Sequence, residues 1–294
     1  MSGADAPAPA AASRLGIVAG GGSLPVELAR TCQAAGRPLF VLRLRGFAEP
    51  ALSAFPGVEV GLAELGAAFA ALKRAGCDAV CFAGIVTRPD FAALKPDLRG
   101  LRAIPGAAAA ARRGDDALLR YMLGEFEREG FRVEGAHEVT AALTLGAGAL
   151  GRVEPDASQL ADARRALEVA RAVGALDIGQ GVVVCDGLVL AVEAQEGTDA
   201  MLRRVAELPP ALRGAPGRPR GVLAKAPKPI QERRVDLPAL GPRTAELAAA
   251  AGLAGIAGEA GGVLLLDRAA LRREADGLGL FVWGEPAPAR EPGG

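Results

Sequence analysis

Three groups of residues in this chain have the types and spacing to act on phosphates. The first is "GIVAGGGSLPVELA", Gly16 to Ala29, where Gly20, Gly21, Gly22 and Ser23 fall at the change from a strand pattern to a helix pattern. Backbone amides and the positive end of a helix at such a turn can face an anion. The second is "VLAKAPKPIQERRVDLPALG", Val222 to Gly241, which carries Lys225, Lys228 and Asp236. Of 34 basic residues only four are lysines (Lys73, Lys95, Lys225 and Lys228), and two of the four lie together here among prolines. Lysine is a mobile point charge suited to phosphate oxygens. Asp236 sits between Val235 and Leu237, and a carboxylate in so apolar a segment calls for a partner. The third is "VEAQEGTDAM", Val192 to Met201, with Glu193, Glu196, Thr198 and Asp199 around a strand-to-helix turn. Hard oxygen ligands so spaced could hold Mg2+ or Mn2+ together with substrate phosphate.

Each group also has a plainer reading. The glycines could form a tight turn that holds nothing, the lysines could be solvated loop charges, and Asp199 could simply complement the dipole of its helix. Against the GxGxxG dinucleotide fingerprint, Gly20 and Gly22 match but the third position is Pro25, a residue at home in a first helical turn. The acid expected after the second strand is replaced by Arg43 and Arg45 of "VLRLR". NAD is disfavoured on these grounds, while an NADP-like or other phosphate ligand stays open. Weaker candidates are Arg88 and Asp90 in "GIVTRPDF", at the end of an expected strand, and Gln180 between the glycines of "DIGQG". His137, the single histidine, lacks a serine or cysteine motif around it, so a structural hydrogen bond is its expected role.

The elements that must position these groups can be read from pattern. "LGIVAG", "PLFVLRL" and "CDAVCFAG" read as strands; "LPVELARTCQAAG", "AELGAAFAALKRAG" and "DDALLRYMLGEFEREG" read as helices, two closed by Gly36 and Gly76. Asp115 and Asp116 open the last of them, where the macrodipole favours acids. This alternation predicts an α/β domain with a parallel sheet covered on both faces. A glycine-rich, less regular stretch from Gly146 to Pro155 marks the domain boundary. Beyond it, "DASQLADARRALEVARAVG", "TDAMLRRVAEL" and "TAELAAAAGLAG" read as helices, with Thr198 a candidate N-cap. "GVVVCDGLVLAVEAQEG" reads as a hairpin turning at Asp186-Gly187. "GVLAKAPKP" reads as a strand running into a loop, and "GGVLLLD", "RAALRREADGLG" and "LFVWGEP" finish a mixed α/β second half. The expected organisation is a disordered tail over 1–13, domains over 14–146 and 147–285, and a second disordered tail over 286–294.

Composition excludes several function classes. With 294 residues, half of them hydrophobic, the chain can bury two cores. Equal numbers of basic and acidic residues, 34 of each, and 4% aromatics argue against nucleic-acid binding. Cys32, Cys77, Cys81 and Cys185 lie in apolar surroundings without CxxC spacing, so buried free thiols in a reducing cytoplasm are expected. The opening "MSGADAPAPAAAS" lacks the basic start and apolar core of an export signal. Uncharged stretches such as Val139 to Gly151 fall short of the roughly 20 apolar residues of a membrane span.

"GIVAGGGSLPVELA", "CFAGIVTRPDF", "GDDALLR", "EGAHEV", "LDIGQGVVV", "LVLAVEAQEGTDAML" and "LAKAPKPIQERRVDLPALG", in this order from Leu15 towards Trp283, together resemble the LpxI-type UDP-2,3-diacylglucosamine pyrophosphatases of lipid A biosynthesis. The resemblance implies a Rossmann-like N-terminal domain and a distinct C-terminal domain with the substrate cleft between them. It implies hydrolysis of UDP-2,3-diacylglucosamine to UMP and 2,3-diacylglucosamine 1-phosphate (lipid X), with Mg2+ or Mn2+, at the cytoplasmic face of the inner membrane. A peripheral membrane contact and a homodimer are the corresponding expectations for partners. The aspartate of the family's "VDLP" segment, needed for activity, matches Asp236, expected to hold the metal or orient the attacking water. Adding Glu196 and Asp199 as metal ligands, and the glycine run, Ser23, Arg88, Asp90, Gln180, Thr198, Lys225 and Lys228 as phosphate or substrate contacts, extends the resemblance by chemistry. The rivals are an NADP-linked oxidoreductase and a non-catalytic nucleotide-sugar or lipid-binding module.

Overall fold

The computed structural model describes residues 13–87, 90–215 and 217–286. The expected tails lie outside the described residues but for Ser13 and Pro286, and so does Arg88. The chain divides into two compact units between Glu134 and Gly135.

In the first unit the order is β1 (Leu15–Ala19), α1 (Leu24–Ala34), β2 (Leu39–Leu44), β3 (Gly57–Val60), α2 (Leu65–Arg74), β4 (Ala79–Ala83), α3 (Leu98–Ala111), α4 (Asp115–Arg128) and β5 (Arg132–Val133). The five strands form one parallel sheet in the order β3-β2-β1-β4-β5. Right-handed crossovers in this order put α1 on one face and α2 and α4 on the other. Phe69 of α2 and Phe126 of α4 meet edge to face at 4.9 Å, as neighbours on a shared face should. β1 is buried along its whole length, and Gly16 within it lets α2 pack close: a Cβ there would lie 2.4 Å from Leu72 Cδ2 of α2. Pattern reading passes over β3 and α3. The sequence of α3, "LRGLRAIPGAAAAA", carries two glycines and Pro105 inside the helix, which local propensity scores against. Gly100 is nonetheless placed where a Cβ would meet the Ala63 carbonyl, so packing against the start of α2 overrides propensity.

The second unit runs α5 (Ala136–Val139), β6 (Gly148–Ala149), α6 (Ala157–Ala175), β7 (Gly181–Cys185), β8 (Leu188–Val192), α7 (Gly197–Ala206), α8 (Pro210–Arg213), β9 (Gly214–Ala215), β10 (Arg218–Pro219), β11 (Val222–Lys225), β12 (Ala239–Leu240), α9 (Pro242–Ala250), β13 (Gly255–Glu259), β14 (Leu264–Leu265), α10 (Arg268–Leu278) and β15 (Phe281–Glu285). Its main sheet is mixed, in the order β6-β15-β13-β11-β7-β8. β11, β13 and β15 are parallel neighbours, while β7 and β8 form an antiparallel hairpin. The period-2 alternation of strand side chains sorts the core into two layers. Val182, Val184, Val222 and Ala224 face Ala163, Ala166, Leu167 and Ala170 of α6. Val183, Leu223 and Ile256 face α7, α9 and α10, through Met201, Leu202, Ala245, Ala248 and Leu271.

The hairpin turns at Asp186 and Gly187, both at positive φ (51° and 78°), as a two-residue turn of this kind demands. Buried Asp162 of α6 accepts from both of their amides, at 2.9 and 2.7 Å, and fixes the turn to the helix. One expectation needs correction here. The helix expected over "TAELAAAAGLAG" ends at Ala250, and Gly255 instead opens β13, a central strand whose "GIAGE" has little strand propensity. Its glycines are set by neighbours: a Cβ on Gly255 would lie 2.4 Å from the Phe281 ring, and one on Gly258 would lie 2.8 Å from Val263. "GGVLLLD" holds the short strand Leu264–Leu265, which pairs in parallel with β12. All four cysteines are free and buried, and burial pushes the Cys77 thiol up to about 11.

Candidate functional site

In open sheets with parallel strands, ligands gather beyond the strands' carboxyl ends. In the second unit that edge is where β11 ends in Lys225, opposite Gly181 of antiparallel β7. Because Val182 pairs with Val192 of β8, Glu193 arrives at the same edge, and its amide donates to the Gly181 carbonyl at 2.8 Å. Gly179 and Gly181 make room for it. A Cβ on Gly179 would collide with the Glu193 carbonyl, and one on Gly181 would lie 2.4 Å from Glu193 Oε2.

Lys225 is only 6% exposed, an uncommon place for an ammonium. Its Nζ donates to Thr198 Oγ1 at 2.9 Å and to the Ala239 carbonyl at 3.2 Å. The Thr198 hydroxyl donates onward to Glu193 Oε1 at 2.9 Å, so a base and an acid, both buried, are joined through one hydroxyl. Desolvation lowers the Lys225 pKa, while the carboxylates of Glu193, Asp199 and Asp236 pull it back up. Asp236, half-buried, is thus within electrostatic reach of Lys225. Thr198 does not cap α7. It is the second residue of that helix, and its hydroxyl is turned to Glu193 because two buried charges need it more than exposed amides do.

Around this edge lie three of the four buried side-chain polar atoms that lack a hydrogen-bond partner among the described residues: Gln180 Oε1, Glu193 Oε2 and Gln231 Nε2. Native folds rarely leave such atoms unmatched, so this edge has polar groups to spare for water or a ligand. Sequence reasoning singled out Gln180 but passed over Gln231, which offers no motif. In the sequence Glu193 is one acid of three. The fourth unmatched atom is His137 Nδ1, which packs over Gly135.

The remaining candidates have partners within the fold. Lys228 Nζ is bound to Asp177 Oδ1 at 2.7 Å. Glu196 is paired with Arg204 at 2.6 Å, and Asp199 with Arg243 at 2.6 Å. Among the described residues no three His, Cys, Asp or Glu side chains converge on a metal-sized position. A cage built from Asp236, Glu196 and Asp199 therefore does not fit.

In the first unit, the amides of Gly20 and Gly21 donate to the carbonyls of Ala83 and Ile85 at 2.8 and 2.9 Å. The Gly22 amide, at φ 84°, donates to Glu49 Oε1 at 3.0 Å. The glycines permit close backbone approach: a Cβ on Gly20 would lie 2.7 Å from the Ile85 carbonyl, and one on Gly84 2.5 Å from that of Gly21. What the run leaves toward solvent is Ser23 and the first amides of α1, with Pro25 in its first turn as expected. Asp90 caps a single turn by accepting from the Ala92 amide at 2.9 Å. Arg45 is held by Glu59 and Glu64, and Arg43 donates to the carbonyls of Leu52 and Phe55, so both guanidiniums that suggested NADP are engaged in the fold.

Comparison with known proteins places these features in a family. Residues 14–143 match the model described as the LpxI N-terminal domain, and residues 146–283 match that of the LpxI C-terminal domain. UDP-2,3-diacylglucosamine pyrophosphatase LpxI of Caulobacter vibrioides is 63% identical over 271 residues, covering 92% of this chain and 97% of that protein. Among solved structures, CobK precorrin-6A reductase aligns over 96% of this chain and 90% of its own at 17% identity, with a TM-score of 0.31, too low to establish a shared fold. With two family models in order along its length and a full-length relative at high identity, the chain belongs to the LpxI family.

Proposed function

We propose that the protein hydrolyses the pyrophosphate bond of UDP-2,3-diacylglucosamine, giving UMP and 2,3-diacylglucosamine 1-phosphate, as a step of lipid A biosynthesis. The observation that carries this reading is the 63% identity, across nearly all of both chains, to a protein named for that activity. The geometry around Lys225 supplies suitable chemistry. A diphosphate linkage carries negative charge that must be neutralised as water adds at phosphorus. Lys225 has three protons and two partners, which leaves one N–H for a phosphoryl oxygen. Glu193 and Thr198 hold that ammonium in place, and Asp236 would orient the attacking water or hold a divalent cation. Mg2+ or Mn2+ so bound would offset charge on the diphosphate. Gln180 and Gln231 would meet polar groups of the substrate, and Lys228 would reach it by exchanging Asp177 for a phosphate.

The test is to incubate the purified protein with UDP-2,3-diacylglucosamine and Mn2+ and to follow UMP. Wild type should release UMP, whereas Asp236→Asn should release none while keeping the wild-type melting transition. Absence of UMP with the wild type would reject the activity, and substantial turnover by Asp236→Asn would reject the role of Asp236.

A further inference from the structure

A surface helix turns its polar side to solvent and its apolar side to the core. α3 departs from this. Its inward side is made of small residues, Gly100, Ala103, Ala107, Ala110 and Ala111. Its outward stripe consists of Leu98, Leu101, Arg102, Pro105, Ala109 and Arg112, at spacings of three and four residues. Leu98 is 68% and Leu101 58% exposed. The exposed charges beside these leucines are all basic. Lys95, Arg102 and Arg112 are exposed and make no ion pair among the described residues. The single acid between Phe91 and Gly114 is Asp97, whose carboxylate accepts from the Gly100 and Ala67 amides at 2.8 and 2.9 Å.

We infer that α3 is an interfacial helix that lies on an anionic lipid bilayer. Leucines sink into the headgroup boundary while arginine stems snorkel along them and keep their charges among lipid phosphates. At 14 residues the helix is about 21 Å long, enough to rest in the plane of the interface. No helix among the described residues is long and apolar enough to cross a membrane, so contact from one side is the mode available to a helical element here. Charge argues against a second copy as the occupant. A two-fold contact through this stripe would bring Arg102 and Arg112 against basic residues, with no carboxylate on the stripe to answer them. The inference rests on the lipid nature of the substrate only for its purpose; the helix face is observed independently of the activity.

The test is co-sedimentation of the full-length protein with vesicles of phosphatidylglycerol and phosphatidylethanolamine, against vesicles of phosphatidylcholine alone. Wild type should bind the anionic vesicles, and the double variant Leu98→Asp/Leu101→Asp should lose that binding. Arg102→Glu should weaken binding roughly fivefold or more on anionic vesicles, as expected for a basic residue at a charged surface. Thermal melts establish that the variants are folded, and both sites are exposed enough for the changes to be tolerated. Wild-type protein that stays in the supernatant, or variants that bind as wild type does, would overturn the inference. So would an oligomer that the leucine variant splits while vesicle binding persists, since the face would then belong to a second copy. UMP release from detergent-dispersed substrate, measured in parallel, separates the two readings: activity without vesicle binding sinks only this inference, and vesicle binding without activity sinks only the proposed hydrolysis.

Discussion

Replacing Thr198 with Val removes one oxygen and little volume, yet it breaks two hydrogen bonds at once. The hydroxyl accepts from Lys225 at 2.9 Å and donates to Glu193 at 2.9 Å, and these partners are 6% and 7% exposed. Water cannot easily replace it. A hydrogen bond to a charged group contributes roughly 1.5–3 kcal/mol, so losing both should cost about 3–6 kcal/mol, with the lower end expected because Lys225 keeps its bond to the Ala239 carbonyl. That is a large share of the roughly 5–15 kcal/mol by which a domain is stable. Thr198→Ser restores the hydroxyl and loses only a methyl, about 1 kcal/mol. Urea denaturation at pH 7, monitored by circular dichroism, reads the difference directly from the midpoints. A loss below 1 kcal/mol for Thr198→Val, or equal losses for Val and Ser, would refute the claim that the hydroxyl joins the buried acid to the buried base.

Other outcomes follow from the same structure. Gly255→Ala sets a methyl 2.4 Å from the Phe281 ring in the middle of the sheet, so it should destabilise the protein by about 1–3 kcal/mol, visible as an earlier urea midpoint. Cys77 ionises near 9.0 when unfolded and at about 11 in the fold. The folded state alone keeps the proton between these values, so stability should fall with rising pH by up to about 3 kcal/mol across that window. Cys77→Ala should flatten the fall, and an unchanged alkaline slope would remove this thiol as its cause. Burial of Lys225 acts with the opposite sign: its lowered pKa penalises the fold at neutral pH, and the penalty lifts as pH rises toward 10.5. Lys225→Met should abolish that rise, measured as the wild-type-minus-variant stability as pH climbs toward 10.5. Chelation with EDTA should stop UMP release without moving the thermal midpoint much, because among the described residues no protein cage depends on the ion.

Much of the fold could be read directly from pattern. Near-continuous apolar runs mark β1, β4 and β7 as fully or almost fully buried, since only strands covered on both faces can dispense with polar residues. Gly36 and Gly76 end α1 and α2 at positive φ, and Asp186-Gly187 specifies its turn by conformational freedom alone. Such features depend on neighbours within a few residues, so local sequence is enough to set them. β13 is different: Gly255, which opens it, is set by the Phe281 ring, which arrives from later in the chain.

The candidate site divides in the same way. Sequence alone determined that Lys225 and Asp236 stand in unusual company, because lysine is rare here and the acid is set among apolar residues. Only the tertiary structure decided which carboxylate serves Lys225. Glu193, Glu196 and Asp199 look equivalent in sequence, but the register of β8 on β7 buries Glu193, while Glu196 and Asp199 end on Arg204 and Arg243. The physical reason is one of range. Turn and strand preferences act over a few bonds, whereas the partner of a buried charge is settled by whichever group the sheet brings within hydrogen-bond distance.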